Sequence, residues 1–279
     1  MITSGSSSIP GSRSARRTLL HLTPHPDDEV MAGPAIMLEL QASGHRIINL
    51  ACSLGRPEDQ ERREAEARES SRRTGFELII PSRPAASAPG DDLDAAQAEL
   101  AMLIAELVRQ EAVDIVFSPS PHDRHPGHEV VGRATLDALS PLEDGAPAWW
   151  MWGLWADLPF PTLITYFRPE RLQQILHALD AHAGELERND YRRLVEGRAR
   201  ANAVLGPELV FGFGGGGGRG ELAELATEVV FRQGDWLLGT PRELDSHEPL
   251  VEPTRAPLSA WLTEPSLTQR FGTRYDRRP

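Results

Sequence analysis

The sequence predicts an α/β fold of Rossmann-like type, a mainly parallel sheet with helices on both faces and extra elements toward the C-terminus. Three observations lead there. Short apolar runs alternate with helical patterns through residues 18–139, the rhythm of strand–helix–strand units. The runs are apolar on successive positions rather than on alternate ones, as strands covered on both faces require. Finally, the two segments richest in histidine and acid directly follow strand-like runs, where ligands gather in open α/β sheets.

Thr18–Thr23 reads as a buried strand stopped by Pro24. Residues 28–42 follow as a helix, with Val30, Ile36, Met37 and Leu40 at helical spacing and Gly44 closing it. Residues 46–52 form a second strand. Residues 57–74 carry Arg and Glu at helical spacings and read as an exposed helix ended by Gly75. Residues 76–80 are a third strand, and the Ala-, Pro-, Ser- and Gly-rich stretch 82–92 a loop or flap. A helix over 93–111, a strand over 113–117 and a helix over 128–139 complete the regular part. From about 141 to 279 the pattern loosens. Residues 148–155 and 162–167 read as strands, 169–183 and 189–205 as helices, and 221–228 as a short helix. Residues 1–16, rich in Ser, Gly and Arg without an apolar core, read as a disordered leader, leaving 17–279 as a single α/β domain.

Composition narrows the function. The chain of 279 residues is 40% hydrophobic with a net charge of −12, and its basic residues are scattered, which suits neither nucleic acid nor an anionic membrane. No apolar run approaches the ~20 residues of a membrane span. A cytoplasmic location is therefore expected, and a homo-oligomer is left open. Cys52 is the single cysteine, which excludes an internal disulfide and any cysteine-based zinc site. All 29 basic residues are arginine, which removes the P-loop lysine, Schiff-base chemistry and Ser–Lys catalysis. No Gly-x-Ser-x-Gly occurs either. Chemistry must come from His, Asp, Glu, Arg and a metal.

Those residues concentrate in His25-Pro26-Asp27-Asp28-Glu29 and in His122-Asp123-Arg124-His125-Pro126-Gly127-His128. Either alone reads equally as a solvated turn, and paired acids before a helix are good caps. Together, at two strand ends, they supply the histidines and carboxylates of a catalytic zinc site, plus further groups to move protons.

The two motifs, in this order, resemble the PIG-L/LmbE family of zinc-dependent N-deacetylases. That family includes enzymes acting on N-acetylglucosaminyl-inositols, glucosaminyl malate precursors and glycopeptide pseudoaglycones. Ser43-Gly44-His45, Gly55, Arg63 to Glu66 and Thr74-Gly75 also resemble its pattern, and the similarity runs over about residues 18–140. The resemblance implies His25, Asp28 and His128 as ligands of Zn2+ or another divalent transition metal. It further implies Asp27 as general base, His125 as acid or oxyanion-stabilising cation, and Arg63 as a substrate contact, with Asp123 also on the substrate side. The implied partner is a small-molecule amino sugar or glycoconjugate whose N-acyl group, N-acetyl foremost, is hydrolysed.

One departure stands out. The family's usual His-Pro-Asp-His is here His125-Pro126-Gly127-His128, so the carboxylate that orients the catalytic histidine is missing, and Asp123 is the nearest substitute in sequence. His125 is then expected to be tuned differently. Three competing readings stay open: an amidase or esterase on a non-sugar acyl group, a family member without turnover, and a nucleotide-binding module. The last would use Gly212-Phe213-Gly214-Gly215-Gly216-Gly217, with Asp235 near the ~20-residue distance of the dinucleotide fingerprint; a mobile surface loop explains the glycines as well. Trp149, Trp150, Trp152, Trp155 and Phe160 read either as a buried strand or as a pocket lining. His182 resembles a family position but equally reads as a surface histidine.

Overall fold

A computed structural model describes residues 16–85, 91–214, 219–244, 251 and 253–272. Its strands are β1 (Thr18–Thr23), β2 (Arg46–Ala51), β3 (Glu77–Ile79), β4 (Ile115–Pro119), β5 (Ala148–Trp152), β6 (Leu163–Phe167), β7 (Leu222–Arg232), β8 (Asp235–Gly239), β9 (Arg242–Glu243) and β10 (Pro253–Pro257). The helices are α1 (Asp28–Met31), α2 (Pro34–Ala42), α3 (Gln60–Thr74), α4 (Leu93–Gln110), α5 (Pro126–Leu139), α6 (Pro169–Leu179), α7 (Ala183–Arg188), α8 (Tyr191–Phe211), α9 (Ser259–Thr263) and α10 (Leu267–Phe271).

The strands run β10-β8-β7-β5-β4-β1-β2-β3, with β6 on β7 and β9 on β6. From β3 through β2, β1 and β4 to β5 every pairing is parallel. From β5 onward through β7, β8 and β10 every pairing is antiparallel. The expected α/β architecture is present, and the parallel character belongs to its N-terminal half. Because β1 is flanked by β2 and β4, the strand order reverses at β1, which opens a crevice at the carboxyl ends of β1 and β4.

Alternation along β1 divides the core into two layers. Leu19 packs with Ile36, Met37 and Phe117 on one face, while Leu20 and Leu22 pack with Ile104, Val116 and Val130 on the other. Each such side chain taken from water contributes about 1.5–3 kcal/mol, so the strand ends are anchored from both sides.

Three expectations change. The helix over 28–42 is two helices, because Ala32 is extended and Gly33 is left-handed before Pro34 starts α2. A Cβ on Gly33 would lie 2.4 Å from the Phe117 ring, at φ +73°, so glycine is required there on both counts. Residues 221–228 are not helical. Residues 222–228 belong to β7, whose Ala, Leu and Glu favour helix in isolation but are captured by pairing with β6 along 222–226 and with β5 and β8 on opposite edges further on. The second helix of the C-terminal half runs on to Phe211 as α8, carrying Pro207 inside it. Residues 1–15 of the expected leader and 86–90 of the expected flap lie outside the described residues. Among the described residues no helix is long and apolar enough to cross a membrane.

Candidate active site

Pro24 ends β1, and the chain turns through His25 to Asp28 before entering α1. Asp27 adopts φ 116°, ψ −30°, a conformation costly for any side-chain-bearing residue and held only when its surroundings enforce it. Four contacts do so. The Asp27 N–H donates to Glu29 Oε2 at 2.8 Å, and the His25 N–H donates to Asp28 Oδ2 at 3.0 Å. Glu29 is in turn fixed through Oε1, which takes the Ser70 hydroxyl at 2.5 Å and lies 2.6 Å from His182 Nε2. His182 is fully buried, so the surface reading of that residue does not hold. The pair sits in the core as a charge-assisted bond: burial alone would raise the Glu29 carboxyl, but His182 and Ser70 outweigh it and lower its pKa.

β4 ends at Pro119, and residues 120–125 lead into α5, which opens with Pro126 and presents His128 inward. Asp28 Oδ2 lies 3.3 Å from His25 Nδ1 and 3.4 Å from His128 Nε2. Metal–ligand distances of 2.0–2.1 Å place tetrahedral donors about 3.3–3.4 Å apart. The two contacts of Asp28 Oδ2, to His25 and to His128, match that edge length. The donor atoms of His25, His125 and His128 also lie within 4.8 Å of one another, so a three-histidine set competes with it. The Asp28 oxygen, set between two imidazoles, favours the His–Asp–His set. Burial would raise the Asp28 pKa, but His128 and His25 hold it well below the carboxylate range. Burial likewise opposes a charge on His128, yet Asp28 and Asp123 raise its pKa.

Asp123 corrects the sequence reading. It is completely buried and has no face toward a substrate. Its Oδ1 accepts the backbone N–H groups of Leu154, Trp155 and Ala156 at 2.7, 3.0 and 3.1 Å. Its Oδ2 lies 2.7 Å from His128 Nδ1. Since a carboxylate only accepts, His128 holds a proton on Nδ1 toward Asp123, which leaves Nε2 as the nitrogen that faces Asp28. Asp123 thus serves His128 and does not replace the carboxylate missing at Gly127. His125 Nδ1 is buried without a partner among the described residues, and burial plus the neighbouring His128 and His25 push its pKa down to about 3. Nothing here holds His125 charged.

Asp27, His25, Asp28, His125 and His128 share a cleft of about 90 Å³ with Arg63, Met31, Trp155, Glu185, Arg188 and Tyr191. The Asp27 pKa is raised well above the carboxylate range, by burial first and then by Asp28, Glu185 and Glu29, with Arg63 opposing. Arg63 does reach the cleft, where it pairs with Glu185. Glu185, Arg188 and Tyr191 are absent from the sequence reading: they come from α7 and the start of α8, in a part of the chain without a spacing signal. The tryptophan segment splits. Trp149, Trp150 and Trp152 are core, whereas Trp155, 46% exposed, stacks on His125 with ring centroids 5.8 Å apart.

The glycine run does not have a dinucleotide context. Gly212 and Gly214 follow helix α8 and precede strand β7, the reverse of the strand–turn–helix order, while residues 215–218 lie outside the described residues. Asp235 instead accepts the Ser259 hydroxyl.

This crevice lies at the switch point of a Rossmann-like sheet and is lined by the two His/Asp motifs. Residues 20–139 match the family model PIG-L: GlcNAc-PI de-N-acetylase, which bears out the resemblance carried by the motifs. The chain is similar in structure to the A40926 pseudoaglycone deacetylase Dbv21, at TM-score 0.60 and 16% identity, over 82% of this chain and 99% of that one. It is also similar to N,N'-diacetylchitobiose deacetylase from Pyrococcus horikoshii, at TM-score 0.56 and 16% identity, over 77% and 84% of the two chains. The same fold carries other chemistry: GalB, the 4-carboxy-2-hydroxymuconate hydratase of Pseudomonas putida KT2440, aligns at TM-score 0.53 and 16% identity over 77% and 97% of the two chains. No curated protein matches the chain in sequence.

Proposed function

We propose that this protein hydrolyses the N-acetyl amide of an amino sugar or glycoconjugate, using a divalent metal held by His25, Asp28 and His128. The observation that carries the reading is the convergence of that donor set with Asp27 and His125 around one cleft, with Asp28 Oδ2 at tetrahedral edge length from both His25 and His128. Zinc suits the donors best, although iron, cobalt or nickel would fit the same set. The bound ion supplies an acidified water and a Lewis acid for the carbonyl.

The chain's own residues perform the proton work. Asp27 has a raised pKa, which makes it a competent base near neutral pH. It takes the proton of the attacking water as the C–O bond forms. It then returns that proton to the nitrogen as the C–N bond breaks, leaving acetate and a free amine. His125 is neutral, with its pKa near 3, so it acts as a hydrogen-bond donor to the carbonyl oxygen as negative charge develops there. Trp155 stacks on that imidazole and fixes its plane. Arg63, held by its pairing with Glu185, orients the substrate from the cleft wall.

The test is release of free amine from a panel of N-acetyl amino sugars and glycosides by the zinc-loaded protein, beside simple esters and non-sugar amides. Turnover of the sugars with Asp27→Asn inactive supports the reading. Equal turnover of esters and non-sugar amides, with none of the sugars, overturns it.

A further inference from the structure

Resting on the amino-sugar reading, the geometry points to Glu185 as the specificity-determining residue of this cleft: it commits Arg63 and Arg188 and thereby selects an uncharged, hydroxyl-bearing ring over an anionic one.

Glu185 lies on α7, far in sequence from the two motifs, yet it lines the same cleft as Asp27 and His125. One carboxylate oxygen pairs with Arg63 and the other lies 2.6 Å from Arg188 Nη2. Arg188 is steadied in turn by donating to the Tyr191 hydroxyl at 2.9 Å. Both guanidiniums that could receive a phosphate or carboxylate are thus bound to one internal anion. A free Arg pair would be an anion clamp; this one is already closed.

The unmet hydrogen bonds show what the cleft accepts. Among the described residues Arg63 Nε and His125 Nδ1 are buried without a hydrogen-bond partner, and Glu185 Oε2 has only the ion-pair contact with Arg188. A buried donor without a partner, near an acceptor held only by an ion pair, suits a group that both donates and accepts. A sugar hydroxyl does both, whereas a phosphate only accepts and meets the Glu185 oxygen unfavourably. Selection by repulsion of the wrong ligand is an effective route to specificity.

The experiment measures binding, by calorimetry on zinc-loaded protein, of methyl glucosaminide and of its 6-phosphate, the deacetylated ligands. The wild type is expected to hold the unphosphorylated glycoside about tenfold tighter or more than the 6-phosphate. Glu185→Gln, which keeps the shape but removes the charge, is expected to move that ratio at least about tenfold toward the phosphate. Arg188→Ala leaves Glu185 facing Arg63 alone and moves the ratio the other way; being at a largely exposed arginine, it keeps the test alive should the Gln variant not fold. Both ligands bound with a ratio unmoved by either substitution would overturn the role of Glu185 alone. Neither ligand bound by the wild type would overturn the amino-sugar reading and this inference with it.

Discussion

Asp123→Asn removes a single charge from the interior and reaches the site through one proton. In the native protein Asp123 Oδ1 gathers three backbone N–H groups from residues 154–156. That turn is tight enough that a Cβ on Gly153 would lie 2.3 Å from the Ala156 carbonyl oxygen. An asparagine keeps this half of the arrangement by leaving its carbonyl oxygen on the three donors. Its NH2 then faces His128 Nδ1, at the 2.7 Å contact where a carboxylate oxygen stood. Two donors cannot share that contact, so His128 must move its proton to Nε2, the nitrogen 3.4 Å from Asp28 Oδ2. Metal then has to displace that proton and restore the donor–donor clash. Loss of such a supporting carboxylate lowers metal affinity about 10–100-fold. Folding stability should fall by only about 1–2 kcal/mol, because the three backbone donors remain satisfied. Asp123→Ala would orphan them too and cost about 3–5 kcal/mol. Competition against a chelator of known affinity, together with urea unfolding, separates the two effects. Wild-type zinc affinity in the Asn variant would refute the assignment of Asp123 as the orienting group of His128.

Glu224 and Gly127 give two further tests. Glu224 Oε2 accepts the Ile36 N–H at the start of α2 at 2.9 Å, and burial raises its pKa from 4.5 to about 7. The folded state therefore holds this proton more tightly than the unfolded state, so stability declines as pH rises from about 4.5 to about 7 and then levels. Glu224→Gln should remove that decline, gaining roughly 1–2 kcal/mol at pH 8 and nothing at pH 4.5, as read by denaturant midpoints. Gly127→Asp restores the carboxylate beside His125; it should raise that histidine's pKa and shift the pH–rate profile. An unchanged rate and profile would refute the idea that Gly127 leaves His125 neutral.

The catalytic half of the fold was legible because its signals are local. Each strand of the parallel half is an uninterrupted apolar run, and the two motifs announce themselves at strand ends. What escaped depends on tertiary contacts. The Leu-, Ala- and Glu-rich β7 carries helical propensity that only its strand neighbours override. Asp123 lies within a motif, but whether it faces substrate or His128 is decided by three amides thirty residues on, in the turn at 154–156. Glu185 and Arg188 reach the cleft because Glu29 meets His182 in the core, a long-range contact with no periodic trace. The break at Gly33-Pro34 did have a signal, since a proline six residues into a helical pattern marks a boundary.

Metal content decides the central claim most directly. The account predicts about one zinc per wild-type chain by elemental analysis, and loss of that zinc in His25→Ala, Asp28→Ala and His128→Ala, each still folded by circular dichroism. A His125→Ala variant should keep the metal while losing activity, which separates the His–Asp–His set from the three-histidine alternative. Wild-type protein that folds fully without metal and gains nothing in stability or activity when zinc is added would contradict the account.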